Sequence, residues 1–162
     1  MLVIDYKEKP ATISKEDMII PIIQERQCGE CTACCQGYVT GSAHGHEFFR
    51  GKPCFFLGDN CTIYADRPVN PCQNFQCTWL KDNTLPVWMR PDRSGVLVVH
   101  ENKEGIEYYN AIETDKPMAA NVLNWLIQFA IINQCNLQYM VNGGINRIGT
   151  QQFMEMEMPL AG

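Results

Sequence analysis

A chain of 162 residues is sized for one domain, and with 46% hydrophobic and 19% charged residues it holds enough apolar material for a core, which excludes a disordered polymer. A net charge of −5, with no basic excess in any segment, disfavours a nucleic-acid partner, whose phosphates need clustered Lys and Arg. The outlier is sulfur: nine cysteines, eight of them between Cys28 and Cys77.

From the N-terminus, Ser14-Lys-Glu-Asp17 reads as a helix N-cap with an acidic residue three positions on, and Pro21 then interrupts the apolar run 18–23. A one-turn helix and a short buried extended segment are equal expectations for 11–27. Met1-Leu-Val-Ile-Asp5 lacks the apolar run of a signal peptide, and the longest span candidate, 122–132, is broken by Asn124 and Gln128. No membrane association and a reducing, cytoplasmic location are expected on that basis. In that compartment clustered cysteines point to metal or redox chemistry rather than to a disulfide framework.

The first sulfur group is Cys28-Gly-Glu-Cys31-Thr-Ala-Cys34-Cys35, two overlapping C-x-x-C units with one further adjacent cysteine. A C-x-x-C turn brings two sulfurs to the same side, where both reach one ion. Loops that wrap iron–sulfur clusters use similar spacing, but the ferredoxin-type run needs a fourth cysteine after three residues and then proline; here Cys35 is adjacent and Gln36 follows. The neighbouring Cys34 and Cys35 are expected to diverge, serving different ions or leaving one a bystander.

Residues 36–53, with Gly37, Gly41, Gly45 and Gly51, read as a loop. Its His44-Gly-His46-Glu47 offers nitrogen and carboxylate ligands, although four-sulfur sites are complete without them. Phe48, Phe49, Phe55 and Phe56 are expected to roof the site. The second sulfur group is Cys54, Cys61, Cys72 and Cys77, with Pro53 and Pro71 stiffening the backbone before two of them. Between them Tyr64-Ala-Asp66-Arg67-Pro68 reads as a turn in which Asp66 caps and Arg67 either offsets the −2 formal charge of a four-thiolate zinc or forms a surface ion pair. Trp79 is expected to pack rather than react.

Beyond residue 80 the pattern changes. Residues 94–100 and 106–112 are strand-like and joined by the polar stretch 101–105, a hairpin signal that makes His100 a structural strand residue. Thr114-Asp-Lys-Pro117 starts a helix over 118–134, with Asn121, Asn124 and Gln128 as a narrow polar stripe on an otherwise apolar cylinder. Residues 136–141 and 145–148 flank Asn142-Gly143-Gly144, a second hairpin. Cys135, outside the cluster, is expected to be an inert core residue. The alternating segment 153–158 is expected to be an edge strand or a loose tail. No P-loop, dinucleotide fingerprint, G-x-S-x-G or H-E-x-x-H is present.

The runs CGECTACC, KPCFFL and NCTIYADRPVNPCQNFQCTWL together resemble the YkgJ-type cysteine-cluster family, described as a zinc- or iron-chelating domain with eight characteristic cysteines. The positions that match are Cys28, Cys31, Cys34, Cys35, Cys54, Cys61, Cys72 and Cys77, with Ile63-Tyr64 and Arg67-Pro68 between Cys61 and Cys72. The family usually has arginine after the third late cysteine; this chain has Gln73. The likeness covers roughly residues 28–80 and implies metal chelation. A related module occurs in flagellin lysine methylases, an enzymatic setting that does not carry over by itself.

The expectation is therefore a single α+β domain over 1–162. A loop-rich cysteine-cluster lobe (28–80) packs on a small antiparallel sheet with one long helix (94–150). Its function is chelation of zinc through those eight cysteines in a structural role. The alternative is an iron–sulfur redox protein or enzyme, and a metal-free thiol relay or adaptor comes third. The partner named by the sequence is a metal ion, and no protein partner is identified.

Overall fold

The computed structural model of the chain describes residues 2–3, 26–81 and 83–157. The helix or strand expected at 11–27 lies, apart from Arg26 and Gln27, outside the described residues.

The C-terminal half is built from two hairpins and a crossover. Strand β4 (Val96–Lys103) turns through Glu104-Gly105, both at positive φ (54° and 82°), into β5 (Ile106–Glu113). The connection has two residues, not the five expected over 101–105, because Glu101, Asn102 and Lys103 go on pairing with Tyr108, Glu107 and Ile106. A left-handed two-residue turn matches the twist of the strands and lets the ladder run to its end. Helix α3 (Ala120–Asn133) follows, then β6 (Asn136–Val141) and β7 (Gly144–Gly149), joined at Asn142-Gly143.

The five-stranded sheet has the order β1-β7-β6-β5-β4, where β1 is Leu2–Val3. Within each hairpin the strands are antiparallel, while β5 and β6 pair in parallel because α3 carries the chain back across the sheet between them. The expected α+β class is the one observed. Val122, Leu126, Phe129 and Ala130 form the buried stripe of α3, and Asn121, Asn124 and Gln128 face outward. Against that stripe the sheet presents Val96, Val98, Ala111 and Leu137, and Trp79, Leu85 and Met89 close the same core from the cysteine side. Among the described residues no helix is long and apolar enough to cross a membrane.

The C-terminal segment departs from expectation. Residues Gln151–Glu155 form a short helix, α4, whose N-cap Thr150 accepts a hydrogen bond from the Phe153 N–H. Helical rather than extended backbone lets Phe153, Met154 and Met156 all turn inward onto Tyr108 while Glu155 faces water. The Arg147 guanidinium donates to the carbonyls of Phe153 and Met156, replacing the ladder bonds an edge strand would have made.

Cys135, at the end of α3, packs against the main core as expected. Burial pushes its thiol from 9.0 up to about 11. A raised pKa means that the folded state holds the proton longer than the unfolded chain does. The stability this contributes is complete below pH 9 and is lost as pH rises toward 11. Urea unfolding across that window should show the native protein losing about 1 kcal/mol more than Cys135→Ala, a value discounted for partial exposure. Parallel pH profiles would mean that Cys135 is not shielded in solution.

Candidate metal centre

The cysteine lobe begins with the turn Cys28–Cys31, closed by a hydrogen bond from the Cys31 N–H to the Cys28 carbonyl of 2.9 Å. A single wide turn of helix, Cys34–Tyr38, follows, and Gly37 within it has φ 93°. Next comes a hairpin of β2 (Gly41–Ala43) and β3 (His46–Phe48), turned at His44-Gly45 with φ 46° and 84°. The stretch expected to be an irregular loop is thus partly ordered. Gly45 marks a left-handed turn and Gly37 a close approach of two backbones, so these glycines mark tight structure rather than its lack. A turn at Tyr64–Asp66 and a second wide turn at Val69–Gln73 lead to Cys77 and to α1 (Thr78–Lys81).

These elements enclose two adjoining chambers. The first, of about 320 Å³, is lined by seven cysteines: Cys28, Cys31, Cys34, Cys35, Cys54, Cys61 and Cys72. The second, of about 600 Å³, is lined by Cys28, Cys31, Cys34, Cys72 and Cys77. All eight cysteines singled out by spacing therefore lie on one connected, sulfur-rich surface, and Cys135 does not. The walls of the first chamber also include Val39, Ala43, Phe48, Ile63 and Phe75. Of the four phenylalanines expected as a roof, only Phe48 lines it. Phe55 is 69% exposed and stacks on His46, Phe56 packs beside the buried Cys54, and Phe49 is 43% exposed. Phe75, which no spacing argument picks out, takes part of that role.

Several backbone N–H groups aim at the sulfurs. Cys31 accepts from the N–H groups of Ala33 and Asp92, Cys34 from that of Cys35, and Cys77 from that of Leu80 at the start of α1. Such bonds favour the thiolate, the form that binds metal. Against them burial pushes up the thiols of Cys28, Cys31 and Cys72, and that of Cys77 to about 11. Neighbouring sulfurs add to the rise: Cys34 and Cys31 act on Cys28, and Cys54, Cys34 and Cys61 on Cys72.

Cys34 is the exception. The Cys35 thiol donates to its sulfur and holds it down at about 7, and the same bond, with burial, drives Cys35 up. This corrects the expectation that the two adjacent side chains point apart, while the contact is compatible with the other part of that expectation, that the two serve different ions. The two cysteines sit on a wide helical turn that faces a concave chamber, so both reach it from one wall.

Arg67 lines both chambers, lies 3.9 Å over the Tyr64 ring, and makes no ion pair with a described carboxylate. Among the described residues lining the first chamber it is the one charged side chain, and its guanidinium lowers the Cys28 and Cys34 thiols. Of the two roles expected for Arg67, the geometry therefore fits charge compensation. Asp66 does not cap with its side chain; its carbonyl oxygen instead meets His44 Nε2 at 3.0 Å. His44 and His46 lie off both chambers, as does His100, which packs on Tyr109.

Two further residues position the site without any local signal. Asp92, from the short helix α2 (Pro91–Ser94), reaches Cys31 from 61 positions away and is held by the Arg90 guanidinium. Arg26 donates to the Trp79 carbonyl at 3.0 Å, tying the start of the cysteine loop to α1. Trp79 is buried and its Nε1–H donates to the Val87 carbonyl, so it packs as expected.

Among the described residues no three or more Cys, His, Asp or Glu side chains converge on a single point; the thiols line the chamber walls. The donor chemistry still fits a metal. The first chamber has sulfur ligands, N–H groups directed at them, one guanidinium and no carboxylate or imidazole. That set suits zinc or iron rather than magnesium or calcium, which take oxygen ligands. No protein-family model, curated protein or solved structure matches the chain, so the likeness to the YkgJ-type family rests on the residues themselves.

Proposed function

We propose that this is a metal–thiolate protein in which Cys28, Cys31, Cys34, Cys35, Cys54, Cys61, Cys72 and Cys77 hold zinc, with the metal serving the fold. One observation carries the reading: eight cysteines dispersed over the first half of the chain line two adjoining chambers. The spacing of the C-x-x-C units and the likeness to the YkgJ-type family support it. When bound, zinc supplies cross-links among thiolates, without redox change. The chain's own residues supply N–H groups to hold the sulfurs, an apolar wall to keep water out, and the Arg67 guanidinium to offset charge. A cytoplasmic location goes with this reading, because thiols remain reduced there.

A second reading, an iron–sulfur protein, is favoured by the size of the first chamber. At about 320 Å³ it has room for roughly ten waters, far more than a single ion needs. Metal analysis and a visible spectrum on protein purified without oxygen decide between them. Zinc with no visible band supports the structural role; iron with acid-labile sulfide and a brown colour overturns it. A protein carrying neither, with all thiols open to alkylation, sinks both.

A further inference from the structure

We propose that the eight thiols divide into two four-sulfur centres, one of Cys28, Cys31, Cys34 and Cys77 and the other of Cys35, Cys54, Cys61 and Cys72. The division rests on the metal–thiolate reading above and adds what the cysteine spacing leaves open. In sequence order the natural split is the first four against the last four. The fold exchanges Cys35 and Cys77 between those groups.

The first centre is anchored on the side of the large sheet. Cys77 lines only the second chamber, where its companions include Cys28, Cys31 and Cys34. Arg26 ties the start of the C-x-x-C loop to Trp79, two residues beyond Cys77. The Asp92 N–H reaches Cys31 from α2, and Gly29 lies against the Arg90 side chain beside it. Cys77 itself packs against the main core with Trp79 and Leu80.

The second centre belongs to the β2–β3 hairpin and the loops around it. Cys35, Cys54 and Cys61 line only the first chamber. The Cys54 N–H donates to the Cys35 carbonyl at 2.7 Å, and the Leu57 N–H donates to the Cys54 carbonyl. Leu57 in turn bridges to Cys61. Cys72 borders both chambers, but it packs with Cys35 and Cys54 around Ala43 and Phe48, which places it in this set.

Cys34 and Cys35 meet where the chambers adjoin, so the two centres are neighbours. Two four-thiolate zinc ions would bring a formal charge of −4 within one lobe, and Arg67, which borders both chambers, is placed to face both. Each set offers four thiols, the number a structural zinc would take, so neither set needs a ligand from the other.

The test reads metal per chain and thiol protection, not activity. The full-length protein, loaded with zinc, is titrated with chelator to half its metal and pulsed with an alkylating agent; peptide mass spectrometry then identifies the protected cysteines. Protection should be lost and kept in blocks of four, with Cys35 moving with Cys54 and Cys77 with Cys28. In parallel, Cys54→Ser/Cys61→Ser should halve the zinc content, as should Cys31→Ser/Cys77→Ser, whereas Cys54→Ser/Cys77→Ser, with one lesion in each set, should lose nearly all of it. Hydrogen exchange over 94–157 checks that each variant keeps its sheet. Graded loss across all eight thiols, or loss of all zinc from a within-set pair, overturns the division and leaves the metal reading standing. Native protein that takes up no zinc overturns the metal reading itself.

Discussion

Removing the metal with a strong chelator should unfold residues 26–77 and leave the sheet and α3 folded. The two halves are held by different forces. Among the described residues, ten buried side chains form the core around α3 and the sheet, with a second cluster under α4. The cluster in the cysteine lobe has three, Ala43, Phe48 and Cys54, with Ala33 buried apart from them. That little apolar burial does not by itself hold a loop-rich stretch of some fifty residues against its conformational entropy. Metal–thiolate bonds tie together residues far apart in the chain, and in small metal domains binding of the ion is itself the folding free energy. Hydrogen exchange resolved by segment, with and without chelator, makes the comparison. Exchange in 26–77 should approach that of an unfolded chain while 96–149 stays protected. Unchanged protection of the lobe after complete metal loss would mean that sulfur plays no part in holding it.

The second large effect is expected at Gly37. Its φ of 93° already disfavours any side chain, and a Cβ there would lie 2.1 Å from the Phe49 carbonyl oxygen and 2.8 Å from the carbon behind it. Those atoms belong to a turn closed by two hydrogen bonds between Phe49 and Lys52, so they cannot swing aside as a flexible side chain can. Gly37→Ala must move either that turn or the Cys34–Tyr38 helical turn, and with it Cys35 and the Cys54 backbone bonded to it. The expected cost is about 3 kcal/mol or more, with loss of metal from the hairpin side of the lobe. Gly45→Ala is the matched control. Its φ is also positive, at 84°, but nothing lies within 4 Å of the added carbon, so about 1 kcal/mol is expected. Equal melting temperatures for the two variants would show that the approach of Gly37 to Phe49 is looser in solution.

Much of the C-terminal half was legible because its signals are local. A run of aliphatic residues at 96–99 marked β4, the isoleucines and tyrosines of 106–112 marked β5, Asn142-Gly143 marked a turn, and the three-and-four spacing of Asn121, Asn124 and Gln128 marked the exposed side of α3. Errors came where one local pattern admits two backbones. Five polar residues at 101–105 read equally as a loop or as a continuing exposed strand, and cross-strand pairing with 106–108 decided for the strand. Alternation over 153–158 fits an edge strand, but Arg147 and Tyr108, brought close by the sheet, accommodate a short helix instead. Glycines at 36–53 signal positive φ, and positive φ serves a tight hairpin as readily as a loop.

The sequence by itself determined where the sulfurs cluster: eight cysteines fall within residues 28–77, the first four of them in one overlapping C-x-x-C run, and Cys135 stands apart without any tertiary information. It also determined the α+β class, through periodicity. How the sulfurs face one another was decided only in the tertiary structure. Cys34 and Cys35 converge because a wide turn meets a concave wall, and Cys77 joins the first loop because Arg26 is bonded to Trp79 and Asp92 to Cys31. The parallel β5–β6 pair likewise exists only once α3 has crossed the sheet. Local spacing sets the geometry of a turn, whereas bringing residues 31 and 92 together depends on the packing of elements between them, whose energy no short stretch of sequence contains.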